Sequence, residues 1–271
     1  LPMGAAIWSS PMDDMADFPA QTFIQFCLNH GLLQINGRPQ WKSIRGGSRV
    51  YVRRLCQDIE ANGGRVLLNT PVLSVTRHVD GVRIETSKGV EVFDQVIMAC
   101  HTDQSLALLS DAHPQELAVL AAVRYQPNTA YLHTDERLMP VRKKAWSAWN
   151  YYAGAVQNGK FPVAVTYWLN RLQPLRFDRA GMATLNPPEP PRTNDTIAVI
   201  NYAHPLLDTA AYQAQQALPS IQGLDRVYFA GAWAGYGFHE DGLKSGLAVA
   251  NLLGVFAPWQ VAQGSKQEQS A

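Results

Sequence analysis

The chain has 271 residues, 46% of them hydrophobic, enough for one large or two modest domains with a buried core. A formal net charge of +1 without any basic run excludes an electrostatic footprint for nucleic acid, because phosphate contact needs clustered lysine and arginine. Three widely spaced cysteines, Cys27, Cys56 and Cys100, exclude a disulfide framework and a C-x-x-C metal site and point to a reducing, cytoplasmic setting.

Residues 1–8 are apolar with no leader and read as the interior of a longer protein, and no apolar run nears the roughly 20 residues that span a bilayer. Residues 18–33 predict a helix: Phe23, Phe26, Cys27 and His30 keep a spacing of three to four, and Gly31 marks its end. A second helix starts at Gly46-Gly47-Ser48, carries Val50, Leu55 and Ile59 on one side, and stops at Asn62-Gly63-Gly64. Arg53 and Arg54 belong to its polar face. From Arg65 the period changes to two. Residues 66–68, 72–77, 82–86 and 90–93 read as short strands separated by Asn69-Thr70-Pro71, Asp80-Gly81 and Lys88-Gly89. The apolar run 95–99 reads as a buried parallel strand. Cys100 and His101 follow at its carboxyl end, where ligand crevices open in α/β sheets, although a lone histidine there serves structure more often than function.

Residues 105–123 predict a helix interrupted by Asp111-Ala-His-Pro114. Beyond it the composition turns aromatic. Tyr125, Tyr131, Trp146, Trp149, Tyr151, Tyr152, Tyr167 and Trp168 accompany strand-like runs at 129–133, 145–152 and 163–169, which make a second sheet. Core packing and an aromatic-lined substrate cavity account for these rings equally well. Lys143-Lys144 reads as a solvated turn. Pro187-Pro-Glu-Pro-Pro191 is a stiff linker before a strand at 196–202, and residues 260–271 form a polar tail of disordered type.

The stretch 225–254 is the richest in chemistry. Residues 227–230 read as a buried strand, Gly231, Gly235 and Gly237 as a tight crossing, and Asp241 as the opening of a helix with Leu243, Leu247, Leu252 and Leu253 on one side. A helix start of this kind offers unpaired N–H groups and the positive end of its dipole, and Gly242 and Gly246 leave no side chain in a ligand's way. Three readings fail here. A P-loop needs lysine directly after its second glycine, but Leu243 separates Gly242 from Lys244. A dinucleotide fingerprint needs glycine where Glu240 stands. His239 with Asp241 is half of an iron-binding triad, and no further histidine follows.

On Val227-Tyr-Phe-Ala-Gly-Ala-Trp233, Gly235-Tyr-Gly-Phe-His-Glu-Asp-Gly-Leu-Lys-Ser-Gly246, Trp41 with Gly46-Gly47-Ser48, Leu132-His-Thr-Asp135, Ala145-Trp146 and Trp149-Asn-Tyr151, the chain resembles the FAD-dependent amine oxidoreductase superfamily. Within it the nearest likeness is to bacterial NAD(P)/FAD-dependent, flavin-containing amine oxidase-like proteins. The resemblance implies an α/β (α+β) fold: a partial Rossmann-like FAD/NAD(P)-binding domain with an inserted mixed-sheet substrate domain. It places lid or substrate-domain helices at 1–45, FAD-binding parts at 46–105 and 223–256, the substrate domain at 106–222 and a tail at 257–271. It further implies that Gly231, Ala232, Trp233, Gly242 and Leu243 line the flavin, that Val72 meets adenine, that Ala99 and Cys100 back the cofactor, and that His239 lies against the flavin face. The superfamily's G-x-G-x-x-G unit is absent from these residues, so the resemblance implies a C-terminal fragment. The lysine that amine oxidases place near flavin N5 is also absent from residues 128–133.

The leading functional expectation is an FAD-dependent oxidoreductase that takes hydride from a substrate C–H bond. His239 would position the substrate or move a proton, while Glu240 and Asp241 cap the helix. The substrate expected is a small molecule or lipid, an amine or a fatty-acyl chain, with peripheral membrane contact left open. Two other classes stay in play: a non-catalytic remnant or scaffold, and a flavin-dependent isomerase.

Overall fold

The computed structural model describes residues 2–8, 18–37, 39–40, 42–153, 163–176 and 178–260. Trp41 and most of the expected tail lie outside the described residues. In chain order the elements are α1 (Pro2–Trp8), α2 (Ala20–Asn29), α3 (Arg49–Ala61), β1 (Val72–His78), β2 (Gly81–Thr86), β3 (Gly89–Phe93), β4 (Val96–Met98), α4 (Thr102–Leu108), α5 (Pro114–Leu120), β5 (Tyr125–His133), β6 (Trp149–Ala153), β7 (Val163–Trp168), α6 (Leu169–Leu172), β8 (Met182–Leu185), β9 (Thr196–Pro205), α7 (Thr209–Ala217), β10 (Val227–Phe229) and α8 (His239–Leu252). The mixed α/β class expected from the sequence is the one observed. Among the described residues no helix is long and apolar enough to cross a membrane.

Two compact units result, Leu1–Leu68 with Tyr125–Leu206 and Asn69–Arg124 with Leu207–Ala271. The first is built on a five-stranded antiparallel sheet in the order β6-β7-β8-β5-β9. Strand β8 went unread in the sequence because its alternation is only four residues long and follows a proline- and arginine-rich loop. In the same unit Trp8 packs among Phe18, Phe23 and Phe26, with ring centroids 4.9–6.2 Å apart. Helix α3 forms where expected, but it buries no residue: Val50, Leu55 and Ile59 are all exposed. The expected strand at 66–68 is not one. No strand lies beside it among the described residues, and an extended apolar segment becomes a strand only by pairing.

The centre of the five-stranded sheet is held by a polar line. His133, which has no solvent exposure, accepts at Nδ1 from the Asp135 N–H (3.1 Å), so its ring proton sits on Nε2 and points to Thr184 Oγ1 at 2.7 Å. Thr184 lies 2.8 Å from Thr166, and Thr166 donates to the Leu138 carbonyl. The carbonyl can only accept, so the whole line runs one way. Beside it, buried Asp135 takes the Arg137 guanidinium and the Arg192 N–H, which hold its carboxyl well below the usual range. Burial lowers the His133 pKa, and Asp135 and Asp195 oppose that only in part.

The second unit combines the β1-β2-β3 meander with a two-stranded parallel sheet, β10-β4. Arg77 joins its parts. From β1 its guanidinium reaches Asp111 Oδ1 at 3.0 Å and the fully buried Glu116 on α5, and it leans on the Leu224 carbonyl at 3.4 Å. Glu116 also accepts from the His113 N–H at 2.8 Å, closing the first turn of α5. Helix α7, another element the sequence reading passed over, is capped by Asp208, which accepts from the Ala211 N–H. Its short polar run of alanine and glutamine carries little periodicity to read.

Two outcomes are expected. Replacing Glu116 by alanine leaves Arg77 with Asp111 as its ion-pair partner and frees the His113 N–H, and should cost about 1–3 kcal/mol in urea unfolding, with the double change Arg77→Met, Glu116→Leu costing less. For His133 the folded pKa lies below the unfolded value of about 6.5, so its contribution is complete above that pH and is lost as pH falls through the folded value. Stability should therefore decline below about pH 6.5, well before the carboxylates titrate, and a pH series of melting temperatures should show that limb flattened in His133→Gln.

Candidate flavin-binding site

Strands β4 and β10 pair in parallel from Val96↔Val227 to Met98↔Phe229, and the Ala230 N–H extends the ladder to the Met98 carbonyl. Both chains therefore end side by side, with Ala99-Cys100 beside Ala230-Gly231. The outer edge of β10 is closed by a side chain: Gln222 accepts from the Phe229 N–H at 2.8 Å and donates to the Phe229 carbonyl at 2.7 Å, occupying both groups that another strand would use. Val227 and Phe229 are fully buried, whereas Ile97 and Ala99 of β4 face outward.

After β10 the chain turns at Gly231 into a single 3-10 turn, Ala232–Ala234. A Cβ on Gly231 would stand 2.6 Å from the Trp233 indole, so glycine is what lets that ring fold back. Gln215 of α7 clamps the turn with two 2.8 Å hydrogen bonds, to the Trp233 and Gly235 carbonyls. Gly235 has no room for a side chain because Asp241 Oδ1 would lie 2.5 Å from its Cβ. Asp241 accepts from the Phe238 N–H at 3.0 Å and so caps α8 from its third position. The helix thus opens at His239, two residues earlier than expected, because the capping carboxylate sits inside the first turn.

The packed side of α8 also differs from expectation. Leu243 is 50% exposed and Leu252 60%, while Val249 has no exposure at all. Gly242, Ser245, Gly246 and Val249 share one helix face by their spacing, and Ser245 and Val249 make its inward contacts. Ser245 makes the join: its Oγ accepts from the Gly231 N–H at 2.9 Å and donates to the Gly242 carbonyl. Ser245 was given no role in the sequence reading. Its signal was its place three residues after Gly242.

The structure brings Ala99, Cys100, Gly231, Ala232, Trp233 and Gly242 into one corner of the second unit. Val72 begins β1 and pairs with Thr86 there, outside that group. Leu243 belongs to the corner's helix but turns its side chain outward. His239, the first residue of α8, is exposed and meets no partner among the described residues. His101 caps α4 rather than entering the corner, its N–H held by Gln104 Oε1.

Two features of the corner fit a bound cofactor. The Trp233 side chain is 4% exposed, yet its Nε1–H has no acceptor among the described residues, an orphaned donor of the kind that a ligand oxygen satisfies. A Cβ on Gly242 would meet only ordinary contacts near 3.9 Å, and one on Gly246 nothing within 4 Å, so the chain's own packing demands neither glycine. Space kept open beside the start of α8 suits an anionic or strongly polar group, because the first N–H groups of a helix have no intrahelical acceptor.

No curated protein sequence matches the chain at a significant level. Among solved structures the chain is similar to a CLA-producing fatty acid isomerase from P. acnes (13% identity, TM-score 0.54, covering 76% of this chain and 51% of that one). It is also similar to a reduced UDP-galactopyranose mutase (12%, 0.54, 78% and 52%) and to putrescine oxidase bound to putrescine (13%, 0.50, 78% and 53%). The present chain spans about half the length of each. At such identities the likeness establishes the fold. The sequence itself matches the family described as flavin containing amine oxidoreductase over residues 17–161, more than half of the chain. The chain therefore belongs to the flavin containing amine oxidoreductase family.

Proposed function

We propose that the protein containing this chain is an FAD-dependent oxidoreductase in which hydride leaves a substrate C–H bond for the flavin, with the second unit holding cofactor and the first facing substrate. The observation that carries this reading is the orphaned Trp233 indole N–H beside an open glycine face at the start of α8, in a chain of this family. FAD, when bound, supplies the electron-pair acceptor. Everything else falls to the chain's own residues. Ala232 and Trp233 present backbone and indole donors, Gly231 keeps its N–H on Ser245, Gly242 and Gly246 admit close approach, and Ala99 and Cys100 bound the corner after β4. Ser245 and Gln215 hold those donors in place, so little reorganisation is needed when cofactor arrives. His239, exposed at the helix start, is positioned to orient a substrate or pass a proton to solvent.

The substrate proposed is apolar. In β6 and β7 the rings of Trp149 and Tyr167 meet edge to face at 5.2 Å and extend an aromatic sheet face through Tyr151. Two of the similar structures, a fatty acid isomerase and a mutase, keep a flavin-dependent isomerase as the second reading.

The proposal is tested on the full-length flavoprotein. Trp233→Phe should weaken FAD binding about 5- to 30-fold in a fluorescence titration, the loss of one buried hydrogen bond, while leaving the cofactor-free protein as stable as before or more so. Gly246→Leu should block FAD while costing the fold little, since its side chain meets open space. A colourless protein indifferent to FAD would establish the scaffold reading. Anaerobic bleaching of the flavin by substrate marks an oxidoreductase, and product formation that requires pre-reduced flavin marks an isomerase.

A further inference from the structure

None of the five strands β5, β6, β7, β8 and β9 carries an aspartate, glutamate, lysine or arginine, although 17% of the chain is charged. The register lines up Trp149 on β6, Tyr167 on β7, Ala183 on β8, Leu132 on β5 and Ala198 on β9 as one row across a single face of the sheet. All five are at least partly exposed. Four strand spacings of about 4.8 Å make the row about 19 Å long. Beyond the Tyr167 ring it holds only alanine and leucine. Its polar atoms are the Tyr167 hydroxyl and the indole nitrogen of Trp149, a ring that is 50% exposed and can donate to water.

Elsewhere on this face the polar side chains at the far end of β5 and β9 are spent on one another. The Thr129 N–H donates to Asn186 Oδ1 at 2.9 Å, and the Asn186 amide donates to Asn128 Oδ1 at 2.5 Å. Asn128 in turn donates to the Gln126 carbonyl at 2.9 Å and to His204 Nδ1 at 2.8 Å, which leaves that ring nitrogen as an acceptor. Tyr167 is different. Its ring meets Trp149 edge to face at 5.2 Å, and its hydroxyl has no hydrogen-bond partner among the described residues. Burial raises its pKa above the ordinary tyrosine value, so at neutral pH the phenol stays protonated and keeps its donor. An uncharged apolar row with one unspent O–H matches a straight apolar chain that carries a neutral acceptor oxygen. An ammonium group would bring a charge that no carboxylate of the sheet offsets, and a free carboxylate would lose hydration without gaining a cation.

We propose that this row is a substrate subsite for a straight, uncharged chain bearing a carbonyl, as in a fatty-acyl ester or long-chain ketone, and that the Tyr167 O–H selects it by donating to the carbonyl oxygen. This rests on the reading of the first unit as the substrate-facing one. The test is isothermal calorimetry on the full-length protein with decan-2-one, decylammonium and decanoate. The ketone should bind more tightly than decylammonium by about tenfold or more, and more tightly than decanoate. Tyr167→Phe keeps the ring against Trp149 and leaves no group of the fold unpaired, so it should weaken the ketone about 3- to 12-fold and leave decylammonium unchanged. Ala183→Leu, which fills the row beside Tyr167, should weaken the ketone as well. Unchanged ketone affinity in either folded variant, or a preference of the unaltered protein for decylammonium or decanoate, overturns the proposal. Because calorimetry needs no turnover, the two readings fail separately. A colourless protein that still binds the ketone through Tyr167 overturns only the flavin reading, and a flavin-loaded protein that prefers the ammonium overturns only the subsite.

Discussion

The second unit depends on how closely α8 can lie against the end of β10. The inward contacts of the helix come from Ser245 and from Val249, the fully buried residue of α8. The hydrogen bond from the Gly231 N–H to Ser245 Oγ fixes the distance, and Gly231 in turn allows Trp233 to fold under the strand end. The consequence for chemistry is that the open glycine face at the start of α8 and one indole N–H share a corner.

Much of this was legible in the sequence. The apolar run 227–230, the glycines after it and the helix beyond are punctuated strongly enough to place the site, and the alternation of residues 72–93 with Asp80-Gly81 and Lys88-Gly89 between the runs reads directly as a meander. The helix face was not legible. Leucine is the obvious apolar signal, and Leu243 and Leu252 drew the prediction to the wrong side, because the inward face of α8 is composed mostly of small residues with low hydrophobicity. Segment 66–68 illustrates a different limit: its composition suits a strand, but a strand is a relation between two segments.

The first unit makes the complementary point. Its sheet carries no charge, and it places its polarity inside as two directed lines, one ending on the Leu138 carbonyl and one on His204. Each begins from a backbone N–H, so each histidine has a determined tautomer. Such lines are invisible in sequence, because Asn128, Asn186 and His204, or His133, Thr166 and Thr184, converge only through strand register. Their energetic logic is strict: a fully satisfied buried polar line specifies the pairing, and one missing partner leaves a costly orphan.

The central claim is that the glycine face of α8 and the turn after β10 are the seat of the flavin. Amide hydrogen exchange of the full-length protein with and without FAD measures this where it matters. The account predicts that FAD slows exchange at the N–H groups of residues 232 and 233 and of the first turn of α8, with β5 and β9 unchanged by comparison. Exchange at those amides that is the same with and without bound FAD would contradict it.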